Sequence, residues 1–119
     1  MRDHTKLDVF HDADQLVLKV YIKTRAFPKD EMFCLTSQMR RSALSVPSNI
    51  VEGCARDTEA DYLHFLDMAY GSARELQYQI SVAERLEYLK QADEIKLLSE
   101  QTAKQLNALI RSLRYPKSL

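Results

Sequence analysis

Between Gln38 and Arg56 the chain repeats small hydroxyls, amides and a lone acid at helical spacing: Gln38, Ser42, Ser45, Asn49, Glu52 and Arg56. Leu35, Met39, Ala43, Val46 and Ile50 keep the same step on the adjoining side. An ordinary solvent face carries mixed Lys and Glu. This stripe is suited instead to directed hydrogen bonding, as a packed polar seam or a binding surface. Glu75 bears on it from a later helix, where it stands between Ser72 and Gln79 in an otherwise apolar stripe. An unpaired carboxylate on a buried face is costly. The guanidinium of Arg40 or Arg41 is the expected donor, because it can make two parallel bonds to a carboxylate. Gln38 and Asn49 can satisfy the groups left over. Gln38, Arg40, Arg41, Asn49, Glu52, Ser72 and Glu75 are therefore read as an interhelix polar network that fixes register. General acid–base catalysis would require a pocket and a poised pKa as well, and these residues demand neither.

Other chemistry is sparse. His4, His11 and His64 are scattered, and no HExxH motif, cysteine pair or histidine cluster occurs. No Ser-His-Asp order or glycine-rich phosphate loop stands out. The expectation is a non-enzymatic protein with no metal and no cofactor. Lys104, Arg111, Arg114 and Lys117 lie in a tail without acids, Arg40 lies on the second helix and Arg56 just after it. These six could meet RNA phosphates or an acidic patch on another copy. The tail cations also oppose the macrodipole at a helix C-terminus. Tyr62, Tyr70, Tyr78, Tyr88 and Tyr115 could stack on bases or form subunit contacts. With 17 basic and 17 acidic residues the net charge is zero, which favours subunit contacts. Glycine inside a helix costs about 1 kcal/mol relative to alanine. Gly71-Ser72-Ala73 is accordingly expected where two helices approach closely, against the helix that contains Pro47.

The elements that position these groups are helices. The chain has 119 residues, two glycines and three prolines, and strand-like alternation is absent. One domain, 1–119, is expected, long enough to bury a core without disulfides. The first helix is expected from Leu7 to Arg25, opened by Thr5 with Asp8 as a variant capping box and stopped at Phe27-Pro28. The second runs from Leu35 to Cys54, with a kink expected at Pro47 and Gly53 as its closing punctuation. The third runs from Glu59 to Leu89, capped by Thr58. Its seam is Tyr62, Leu66, Ala69, Ala73, Leu76, Ile80 and Ala83, and a second stripe from Phe65 to Leu89 widens the buried face. The fourth runs from Asp93 to Arg114 after a short link. Short links make neighbours antiparallel, so the fold expected is all-α, an up-down-up-down four-helix bundle. Cys34 and Cys54 are read as ordinary reduced thiols of a cytoplasmic protein. No apolar run approaches the roughly 20 residues of a membrane span.

These residues resemble a known family, the four-helix-bundle proteins encoded in intervening sequences of bacterial 23S ribosomal RNA genes. The likeness is carried by Phe27-Pro28-Lys29-Asp30-Glu31, by Leu35 to Ala43, by Ser45 to Gly53 and Arg56, and by Phe65-Leu66, Ala69, Gly71-Ser72 and Glu75-Leu76. It extends from about Asp8 to Leu113. The resemblance implies a cytosolic bundle that assembles into a ring-like homo-oligomer, typically a pentamer, with no established enzymatic activity. The chain is also similar to the accessory variability protein of diversity-generating retroelements, a basic oligomer that binds nucleic acid, although this chain is neutral.

Overall fold

The computed structural model describes residues 2–117. Four helices account for most of them: α1 (Asp8–Thr24), α2 (Leu35–Cys54), α3 (Glu59–Arg85) and α4 (Asp93–Arg114). Short 3-10 turns cover His4–Lys6 and Lys29–Glu31. The helix cap at Thr58 forms as expected, its hydroxyl accepting the amide of Asp61 at 3.1 Å. The expected cap at Thr5 does not form. Asp3 instead accepts the amide and hydroxyl of Thr5 within the first 3-10 turn, and Leu7 opens α1 without a side-chain cap. The third helix stops at Arg85, short of the expected Leu89, because Glu87 adopts a positive φ of 63°; Gln91, at 52°, turns the chain again before α4. Two left-handed residues turn the chain sharply enough to bring Leu89 and Ala92 back under the core.

The cross-helix bonds set the directions. Ser42 and Ser45 of α2 meet Glu75 and Ser72 of α3. Asp67 and Glu84 of α3 meet Arg114 and Lys96 of α4. Asp12 and Lys19 of α1 meet Gln105 and Glu94 of α4. In each pair one number rises as the other falls, so neighbouring helices run antiparallel, as the sequence predicts. The core divides along the bundle axis. One cluster gathers Val9, Ala13, Val46, Ile50, Tyr62, Leu66 and Leu106. The other gathers Leu16, Val20, Phe27, Met39, Leu76, Ile80 and Ile95. Pro47 is buried inside α2, which continues through it.

A polar seam between the second and third helices

The polar stripe of α2 faces α3 along one edge of the bundle. Buried Ser42 donates from Oγ to Glu75 Oε1 at 2.6 Å. One turn on, the hydroxyls of Ser45 and Ser72 meet at 2.8 Å. Asn49 Nδ2 donates back to Ser45, at 2.8 Å to its carbonyl and 2.9 Å to its Oγ. Gln79 Nε2 reaches Glu75 Oε1 at 3.4 Å. Arg56, just beyond the end of α2, pairs with Glu52 in the last turn of that helix.

The arginine partner expected for Glu75 is absent from this arrangement. Arg40 turns to α1, donating from Nε to Thr24 Oγ1 at 2.9 Å and lying 4.9 Å from the centroid of the Tyr21 ring. Arg41 is exposed and makes no ion pair among the described residues. The reason is rotational. Residues two apart on a helix point about 200° apart, so once Ser42 faces α3, Arg40 must face the other way. Gln38 is exposed beside the seam. Glu75 is itself exposed rather than buried, so neutral donors and water suffice for it. Met68 and Leu86 of the same stripe are also open to solvent while Gln79 and Leu89 are buried, so the second stripe expected to widen the buried face is only partly covered.

The close contact expected at Gly71 lies at Gly53 instead. A Cβ on Gly71 would meet nothing within 4 Å, and the residue is exposed. The close approach lies at Gly53, where a Cβ would stand 3.0 Å from Phe65 Cβ and 3.3 Å from the Tyr62 carbonyl oxygen. Nearby, Tyr62 is buried beside Cys54, and the Arg2 guanidinium lies 4.0 Å from its ring centroid. Burial, with the adjacent Cys54, pushes the Tyr62 hydroxyl up to about 12. Burial likewise raises the Cys54 thiol. Sequence reasoning missed this group, since nothing in the spacing joins Arg2 to Cys54 and Tyr62.

The basic residues do not form one patch. Arg56 and Arg114 are neutralised by Glu52 and Asp67, and Arg40 sits against α1. Lys104 joins Tyr70, Arg74 and Asn107 around a groove of about 350 Å³ between α3 and α4. Arg111 lies over the Tyr115 ring, and Lys117 is exposed beyond the helix end. Among the described residues no cluster of His, Cys, Asp and Glu could hold a metal ion, and no helix is long and apolar enough to cross a membrane.

A family model described as 23S rRNA-intervening sequence protein matches residues 5–110. Among solved structures, the chain is similar to a protein of unknown function from the S23 ribosomal protein family of Bacteroides thetaiotaomicron. The two are 23% identical with a TM-score of 0.78, over 87% of this chain and 95% of that one, a likeness of fold. No curated protein matches the chain.

Proposed function

The chain belongs to the 23S rRNA-intervening sequence protein family, and from that membership we propose that it is a non-enzymatic, ring-forming homo-oligomer that acts in the cytoplasm through its helix surfaces. Five copies is the number that the sequence resemblance implies. The observation that carries the reading is apolar surface that the bundle leaves uncovered. Phe33 is 89% exposed, and Met32, Leu44 and Tyr21 stand exposed around the same groove. Contiguous exposed apolar groups on a soluble domain mark interaction sites, and the seam between α2 and α3 gives that surface a rigid backing. Sedimentation velocity of the purified chain tests it. A single species near five times the chain mass is expected, and a monomer at micromolar concentration overturns it.

A second reading rests on the groove where Tyr70, Arg74, Lys104 and Asn107 stand with one acid, Glu100: a nucleic-acid-binding accessory protein that uses the two cations and the aromatic ring of this edge. RNA binding that weakens steeply as salt rises would support it, because each phosphate contact releases counterions. Absence of binding at low salt removes it.

A further inference from the structure

The α1/α2 edge and the outer face of α3 each leave something unexplained. Between α1 and α2 a groove of about 330 Å³ is lined by Tyr21, Met32, Phe33, Arg40, Arg41 and Leu44. Thr36 and Ser37 complete its lining, and its two cations have no carboxylate partner among the described residues. On α3, Gly71, Glu75 and Tyr78 follow one another at steps of four and three, and all are exposed. Glu75 accepts only from neutral donors, Ser42 and Gln79. Tyr78 stands 66% exposed. Gly71 weakens its helix, yet open space surrounds the position of a Cβ, so no contact within the chain accounts for it. A glycine on a helix surface permits another backbone to come close.

We propose that these two faces are the halves of one interface: the Gly71–Glu75–Tyr78 ridge of one copy seats in the Tyr21–Phe33–Leu44 groove of the next. This rests on the homo-oligomer reading and adds which surfaces meet. Charge selects a second copy as the occupant. The groove supplies two cations without a carboxylate and the ridge supplies a carboxylate without a cation, so Arg40 or Arg41 of one copy faces Glu75 of its neighbour. Tyr78 supplies the aromatic anchor typical of interface centres, and Gly71 sets the closest approach. The two faces share no residue, so the contact is heterologous. Each copy offers one groove and one ridge, which generates a ring when the rotation closes.

The test uses two variants at exposed positions, Gly71→Lys to block the ridge and Phe33→Lys to break the groove. Helical circular dichroism and melting at high dilution serve as controls that each still folds. Sedimentation velocity should show the parent as an oligomer and each variant alone as a monomer. An equimolar mixture should give a dimer, because one intact groove meets one intact ridge. As a second measurement, Arg41→Glu should reduce the assembled fraction at least tenfold, and adding Glu75→Arg should restore it. A monomeric parent sinks the homo-oligomer reading, and this interface with it. A parent oligomer whose mass survives both single variants, or variants whose mixture stays monomeric, overturns this interface alone.

Discussion

At the scale of single residues, the groups that matter are those whose partners lie on another helix. Tyr62 is buried with its hydroxyl raised to about 12, chiefly by burial, against about 10 for an exposed tyrosine. The protonated form is favoured in the folded state. Its contribution is therefore whole below pH 10 and is lost as pH rises from about 10 towards 12. Urea unfolding across that window should show the parent losing more stability than Tyr62→Phe, and parallel losses would remove Tyr62 as the cause. In the seam, Ser42→Ala deletes a 2.6 Å bond to Glu75 and should lower unfolding free energy by about 1 kcal/mol, below the usual range for a charged acceptor because Glu75 is exposed. An unchanged urea midpoint would show the bond to be energetically silent. Both Ser42 and Glu75 were legible as members of polar positions on facing stripes. Their pairing was not, because the composition of a stripe does not specify how far its helix is rotated about its axis.

At the scale of elements, glycine position separates packing from propensity. A methyl added at Gly53 would crowd Phe65 Cβ at 3.0 Å and the backbone of Tyr62 at 3.3 Å, so Gly53→Ala should destabilise the chain by about 1–3 kcal/mol. A thermal melt no lower than the parent's would contradict that close contact between α2 and α3. The sequence offered Gly53 as punctuation and Gly71 as the contact, and the structure puts the contact at Gly53 and leaves Gly71 in open space. Both readings follow from glycine's missing Cβ, and only the neighbouring helix distinguishes them. Thr58→Ala should cost about 1 kcal/mol through the lost cap of α3. Thr5→Ala should leave the helicity of α1 unchanged, since no side chain caps that helix; amide exchange in each first turn reads both. The ends of α2 and α4 were legible because a glycine, an acid-rich start or a proline marks them. The end of α3 was not, because Glu87 takes a left-handed conformation usually left to glycine or asparagine.

At the scale of the whole molecule, two core clusters share all four helices, and each helix contributes to both. Leu66→Ala in one and Leu76→Ala in the other should each cost about 2–5 kcal/mol, because both side chains are wholly buried. Calorimetry should show a single transition that moves down in each case. A variant that splits the transition would mean that the two ends of the bundle fold separately. The class of fold, the number of helices and their antiparallel order were determined by the sequence alone: apolar residues at helical spacing must be buried together, and short links leave few ways to do so. The tertiary structure alone decided which polar residues meet, which glycine is a contact, and which apolar residues stay uncovered. Those outcomes depend on the rotation and offset of each helix against its neighbours. Many side chains set these jointly, and periodicity within one segment does not carry them.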